Sequence, residues 1–158
     1  MKTCREVMTG DPVCCVPTDT AVRAAKLMKA ENIGSVPVCE DRHNKKLVGI
    51  VTDRDLALYV VAEDRDANST KIQDVMTRQP VTCRADDDIP KALDAMEKNQ
   101  VRRIPVLDDG GHLIGIIAQA DVARRTDQPE KTAEVVEDIS KRAPRPPSAR
   151  GGRIWLCM

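Results

Sequence analysis

Two stretches of the chain place apolar residues at helical spacing. Ala21, Ala24, Ala25 and Met28 fall at i, i+3, i+4 and i+7, and Ile89, Ala92, Leu93 and Met96 repeat that spacing. Each set predicts an amphipathic helix that buries one stripe. After each helix come two short runs of β character, "SVPVCE" with "KLVGIVT" in one case and "RIPVLD" with "HLIGIIA" in the other. The polar "DRHNKK" separates the first pair and the hairpin signal "DDGG" the second. Ahead of each helix, residues 12–16 and 80–83 are β-rich runs following a proline and read as brief strands. A further helix starts at "DRDLALYVVA" and at "QADVARR".

The two series are copies of one unit. Residues 7–57 match residues 75–123 from "VMT" to the last helix, and the second copy is two residues shorter in the hairpin loop, where length changes cost little. The order strand, helix, strand, strand, helix therefore occurs twice. A unit of about 50 residues hardly buries enough surface to be stable alone. The expected fold is α/β of the α+β type: two β-α-β-β-α repeats packed sheet to sheet with pseudo-twofold symmetry, sharing a core and leaving clefts lined by equivalent residues. The expected units are residues 3–66 and 67–125, followed by residues 126–158.

Composition narrows the function classes. The chain has 158 residues, 41% hydrophobic and 32% charged, with 25 basic and 25 acidic side chains that cancel. A nucleic-acid partner is not expected, since binding a phosphate backbone needs a basic face. No apolar run approaches the roughly 18 residues of a membrane span, and "MKTCREVMTGD" lacks the apolar stretch of a signal peptide. A cytoplasmic location is the expectation. Six cysteines, at positions 4, 14, 15, 39, 83 and 157, show no C-x-x-C pair and accompany only two histidines, so they read as small buried side chains and no metal site is expected. No Ser/His/Asp set or phosphate-cradling Gly-rich loop appears, and an enzyme is not expected.

The chemistry concentrates where each final strand meets its helix. In "GIVTDRD", Thr52 suits an N-cap and Asp55 stands at capping-box spacing. In the second copy, "GIIAQAD", Ala118 replaces the threonine while Asp121 persists. A carboxylate kept without its hydroxyl partner suggests a second role. Free backbone N–H groups at a helix start suit an anion, a threonine hydroxyl adds a donor, and a carboxylate accepts from the hydroxyls of a ribose. Together these groups describe a nucleotide.

Two copies carrying "VMT", then "IGSVPV" or "VRRIPV", then "GIVTDRD" or "GIIAQAD" resemble the CBS domain, named after cystathionine β-synthase, over about residues 3–125. The resemblance implies a tandem pair that senses adenosine-containing ligands (AMP, ADP or ATP, or else S-adenosylmethionine or NAD) without catalytic residues, and that signals to a regulated partner. It implies that Asp55 and Asp121 hold ribose hydroxyls and Thr52 a phosphate. Val13, Val36 and Pro37 would border one adenine pocket, and Val81, Ile104 and Pro105 the other. Arg102 and Arg103 match positions of phosphate contacts, whereas their counterparts Gly34 and Ser35 carry no charge, so the clefts are unequal. Ala118 departs from the family's usual Thr or Ser. The resemblance further implies a homodimer packed through the helices, and neighbouring strands that set Cys15 near Cys39 as a candidate disulfide. The alternative is an interaction or redox-linked structural protein whose clefts stay empty.

Beyond residue 125 the pattern stops. "DQPEKTAEVVEDISKR" offers Pro129 at a helix start with Val135, Val136 and Ile139 on one side, and the stretch from 141 onward reads as a basic, Pro-rich disordered tail ending in "RIWLCM".

Overall fold

The structure, a computed structural model, describes residues 1–125; the expected helix near Pro129, the basic tail and Cys157 lie outside the described residues. The two amphipathic helices form as expected. Helix α1 (Cys4–Val7) opens the chain, and α2 (Ala21–Glu31) starts where the Thr20 hydroxyl accepts the Arg23 N–H and ends where Asn32 turns left-handed. In the second copy α4 (Ile89–Asn99) is capped by the Asp88 carboxylate on the Lys91 N–H and closed by a left-handed Gln100. Their buried stripes are Ala21, Ala24 and Met28, and Ile89, Ala92, Leu93 and Met96. Ala25, expected in the first stripe, is exposed.

The strands assemble into two sheets in a mixed α/β arrangement. Strands β2 (Ser35–Cys39) and β3 (Leu47–Thr52) form one antiparallel hairpin, and β6 (Arg103–Leu107) and β7 (Leu113–Ala118) the other. The registers are equivalent: Ser35 faces Thr52 as Arg103 faces Ala118, and both hairpins shift register at the same place, after Val38 and after Val106. The short helix α3 (Asp53–Leu56) runs into a π-helical turn over Ala57–Val61, while α5 (Gln119–Arg125) takes the equivalent place in the second copy. Side chains alternate along a strand. Val36 and Val38 join the core beneath α2, yet Pro37 on the opposite face is also fully buried, and Pro105 repeats this in the second copy. Each sheet is therefore covered on both faces.

The strands expected ahead of each helix shrink. Residues 12–16 make a single parallel bridge, Cys15 with Val38, and residues 80–83 contribute only the start of β5 (Cys83–Arg84), parallel to β6. Proline explains part of this, since Pro12, Pro17 and Pro80 have no N–H to extend a ladder. The bridge at Cys15 is nevertheless firm: its N–H donates to the Pro37 carbonyl and its carbonyl accepts the Cys39 N–H, both at 2.9 Å.

The two copies exchange segments. Strand β1 (Thr9–Gly10), from the first "VMT" segment, pairs with β7 of the second copy, and β4 (Thr77–Arg78), from the second, pairs with β3 of the first. The sheet orders are β1-β7-β6-β5 and β2-β3-β4. Apolar side chains follow the exchange: Cys4 and Val7 lie in the core of the second copy, while Ile72 and Val75 lie in the core of the first. The expected shared core is thus two clusters, each closed by residues from the other half of the sequence. The glycines in "VGIV" and "IGII" serve this closure. A Cβ at Gly49 would stand 2.8 Å from the Met76 sulfur and from the Thr77 carbonyl, and one at Gly115 would collide with Met8. The two hairpins also meet directly, with Leu47 N–H donating to the Gly111 carbonyl at 3.2 Å and Leu113 N–H to the Lys45 carbonyl at 2.8 Å.

The cysteine pairing differs from expectation. Cys4, Cys14, Cys15, Cys39 and Cys83 are all free thiols. Cys15 lies beside Val38 in the first core cluster, whereas Cys39 is buried outside that cluster. The thiol near enough to Cys39 to shift its titration is that of Cys14. Burial pushes the Cys15 thiol up to about 11 and that of Cys39 up to about 12.

The segment exchange makes a direct prediction. Ile72→Ala, in the connector after the first copy, should destabilise the first core by about 2–5 kcal/mol, measured by urea denaturation. A loss below about 0.5 kcal/mol would show that the connector does not close that core.

Candidate functional site

Each candidate site is built at the junction of a hairpin with the helix that follows it. In the first copy Thr52 ends β3 in extended conformation and α3 begins at once. Thr52 N–H donates to Asp55 Oδ2 at 2.9 Å, and Asp55 N–H donates to Thr52 Oγ1 at 3.1 Å. This is a complete capping box, with two orphan donors of a helix start satisfied reciprocally. In the second copy the hydroxyl is gone, yet Asp121 Oδ2 still accepts the Ala118 N–H at 3.3 Å. The loss of Thr at this place therefore removes one bond of the box and leaves the other. In both copies the capping oxygen is Oδ2; Oδ1 of Asp55 and of Asp121 has no hydrogen-bond partner among the described residues. A carboxylate offers about four acceptor sites, so capping leaves acceptor capacity on both side chains.

The backbone anchors each junction to the start of the preceding strand. Asp53 N–H donates to the Gly34 carbonyl and Gln119 N–H to the Arg102 carbonyl, both at 2.9 Å. Together with the Ser35–Thr52 and Arg103–Ala118 registers, these bonds gather the sequence candidates into two groups. Thr52 and Asp55 stand beside residues 34–37 in the first copy, and Asp121 stands beside Arg102, Arg103, Ile104 and Pro105 in the second. Val13 and Val81 reach their groups through the Cys15 and Cys83 pairings two residues downstream.

Burial separates the candidates. Val36 and Ile104 are fully buried members of the two cores, and Pro37 and Pro105 are buried on the other strand face. Val13, Val81, Thr52, Asp55, Arg103 and Asp121 are half-buried, and Arg102 is exposed. Neither guanidinium of Arg102 and Arg103 has a carboxylate or hydrogen-bond partner among the described residues. The first copy has Gly34 and Ser35 at these positions; there the Asp53 carboxylate closes over Gly34, where a Cβ would lie 3.1 Å from Oδ2.

Sequence reasoning missed Gln119. It is 7% exposed, and its Nε2 is buried without a hydrogen-bond partner among the described residues. Buried amide donors are ordinarily satisfied, so this one marks the second junction as chemically incomplete. The signal was present: Gln119 lies between Ala118 and Ala120 at the first turn of α5, where Asp53 stands in the first copy. No group of three or more His, Cys, Asp or Glu among the described residues is placed to hold a metal ion. No helix among the described residues is long and apolar enough to cross a membrane.

Comparison with known proteins shows the family of the chain. The CBS domain model matches twice, over residues 4–62 and 72–127. The uncharacterized protein YlbB of Bacillus subtilis strain 168 is 38% identical over 137 residues, covering 87% of this chain and 90% of YlbB. Among solved structures, that of CBSX2 in complex with AMP superposes with a TM-score of 0.67 at 26% identity, covering 78% of this chain and 95% of CBSX2. The CBS domain pair of protein MJ0100, in complex with 5′-methylthioadenosine and S-adenosyl-L-methionine, gives a TM-score of 0.69 at 27% identity, covering 78% and 94%. With the motif matched once in each of two segment-exchanging repeats, this chain belongs to the CBS-domain family as a tandem pair.

Proposed function

We propose that the chain is a regulatory module that binds an adenine nucleotide, with AMP, ADP or ATP as the leading ligands, and that the junction of the second copy is its main site. The observation that carries this reading is the set of groups there without a partner among the described residues: the guanidiniums of Arg102 and Arg103, Gln119 Nε2 and Oδ1 of Asp121. In the proposed complex Asp121 accepts from the ribose hydroxyls, the two arginines meet the phosphates, and Val81, Ile104 and Pro105 border the adenine. Arginine suits this role because its planar fork matches phosphate oxygens. In the first copy Asp55 and Thr52 are the equivalent ribose and phosphate ligands, with Val13, Val36 and Pro37 beside the base. There the capping box already occupies the Thr52 hydroxyl and no arginine matches Arg102 or Arg103, which makes that cleft the weaker one. That CBSX2 was solved with AMP and MJ0100 with adenosyl ligands supports the ligand class.

The ligand signals by favouring one arrangement of the two copies, by as much as its affinity differs between arrangements. A regulated protein reads that arrangement, and a homodimer presents it. The surface that fits a second copy is the helical face of the first repeat. Leu58, Tyr59 and Val61 are 41%, 46% and 72% exposed there. They adjoin an apolar groove of about 270 Å³ lined by Ala21, Val22, Ala25, Leu56 and Val60, which explains the exposed Ala25.

Thermal melting tests the nucleotide reading. AMP or ATP at a hundredfold excess over its dissociation constant should stabilise the chain by about 2.7 kcal/mol. Asp121→Ala should weaken binding about 10-fold or more, and Arg102→Ala with Arg103→Ala should cost AMP and ATP more than adenosine. If none of AMP, ADP, ATP, NADH and S-adenosylmethionine moves the midpoint at millimolar concentration, the reading fails. Ligand-free Thr52→Ala should lose about 1 kcal/mol of stability, a cap effect that Asp121→Ala shows less, its single bond being longer. Light scattering at micromolar concentration should give a dimer that Val61→Glu dissociates; a wild-type monomer would reject the dimer.

A further inference from the structure

The segment exchange that closes the second core also brings two thiols together. Cys4, the first residue of α1, is fully buried, and Cys83, the first residue of β5, is 5% exposed. Backbone bonds fix both. Cys4 N–H donates to the Asp87 carbonyl at 2.8 Å and Arg5 N–H to the Ala85 carbonyl at 2.9 Å, while Cys83 is held in register with Val106. Both thiols lie in the same core cluster, near enough for each to shift the other's titration, and both are free; the Cys83 thiol donates to the Pro105 carbonyl at 3.8 Å. We propose that Cys4 and Cys83 form a redox clasp, oxidised by hydrogen peroxide to a disulfide that fastens the N-terminal arm to the second repeat.

The chemistry balances with the peroxide as the only co-reactant. The Cys4 thiolate attacks one peroxide oxygen and the O–O bond breaks; Cys4 becomes a sulfenic acid and the other oxygen leaves as water after taking a proton. The Cys83 sulfur then attacks the Cys4 sulfur. The S–S bond forms, the S–O bond breaks, and the departing hydroxide takes the Cys83 proton as a second water. Two electrons pass from the sulfurs to the peroxide. Cys4 is the nucleophile because the neighbouring Cys83 thiol lowers its pKa, whereas the same neighbour and burial push Cys83 up.

Burial sets when the reaction occurs. Neither sulfur meets an oxidant until the arm opens, and terminal segments open more readily than whole domains. The arm is latched by side chains. The Lys2 ammonium donates to the Arg125 carbonyl, and the Arg125 guanidinium donates to the Val7 carbonyl at 2.8 Å and to the Met8 carbonyl at 3.2 Å. The Cys14–Cys39 contact, by comparison, lies wholly within the first repeat, and a bond there would leave the arm free.

The test treats the full chain with hydrogen peroxide, blocks remaining thiols by alkylation and maps peptides by mass spectrometry without reduction. The expected product is a Cys4–Cys83 linked peptide, two hydrogens lighter than its parts and released by dithiothreitol. The closed loop between the two cysteines should raise the melting midpoint by on the order of 10 °C. Arg125→Ala should speed formation of the bond several-fold by loosening the latch. In Cys83→Ser the Cys4 sulfenic acid should be captured by dimedone, with no rise in midpoint. The proposal is overturned if Cys4 and Cys83 both remain alkylated after the other thiols are consumed, or if the only linked peptide joins Cys14 to Cys39.

Discussion

The structure depends on each repeat lending the other the residues that close its core. A half of this chain exposes an unfinished apolar surface when alone: without Ile72 and Val75 the first cluster lacks a wall, and without Cys4 and Val7 the second does. Hydrophobic burial scales with area removed from water, so exchange converts two marginal units into one that folds together. The paired short strands β1–β7 and β4–β3 satisfy the edge of each central hairpin, and an unpaired edge is a liability that proteins otherwise cover or charge. The glycines under Met8 and Met76 are the local expression of this closure, because any side chain at Gly115 or Gly49 would push the borrowed segment off the sheet.

Much of this architecture was legible in the chain, for a physical reason. The helices announced themselves because Ala21 to Met28 and Ile89 to Met96 bury a periodic stripe, and the hairpins because "SVPV" and "RIPV" precede "LVGIV" and "LIGII" with turn residues between. Duplication then confirmed each element against its counterpart. The exchange was not legible. A two-residue strand such as β1 or β4 has no periodicity, and nothing in "VMT" tells which copy its methionine will cover. The brief strands before each helix were overextended for the same reason, since prolines at 12, 17 and 80 leave only Cys15 and Cys83 to pair. Adjacent strands do not by themselves join Cys15 to Cys39: both are free thiols, and only Cys15 belongs to the first core cluster.

The site was legible in its residue types and less so in its energetics. Asp55 and Asp121 were set apart from ordinary caps by the loss of Thr52's counterpart, and the structure refines that argument. Asp121 still accepts a backbone N–H through Oδ2, so its persistence is compatible with capping. The case for a further role rests instead on the oxygen that capping leaves open and on the company it keeps. Gln119 escaped notice because a glutamine at a helix start looks like a solvated residue; only its burial without a partner among the described residues distinguishes it.

The two junctions illustrate how a duplicated scaffold diverges without changing shape. In the first copy the polar groups satisfy one another: the threonine caps, the aspartate returns the bond, and Asp53 folds over a glycine. In the second the same backbone geometry carries alanine for threonine, glutamine for aspartate and two arginines for glycine and serine. Every one of these exchanges removes an internal partner or adds a donor without a partner among the described residues. An unpaired buried donor costs on the order of 1–3 kcal/mol, a cost that an isolated fold gains nothing by keeping. A bound anion would offset it at that junction alone, since the first has no equivalent deficit. The copies therefore share one backbone geometry and differ in what they leave unsatisfied among the described residues.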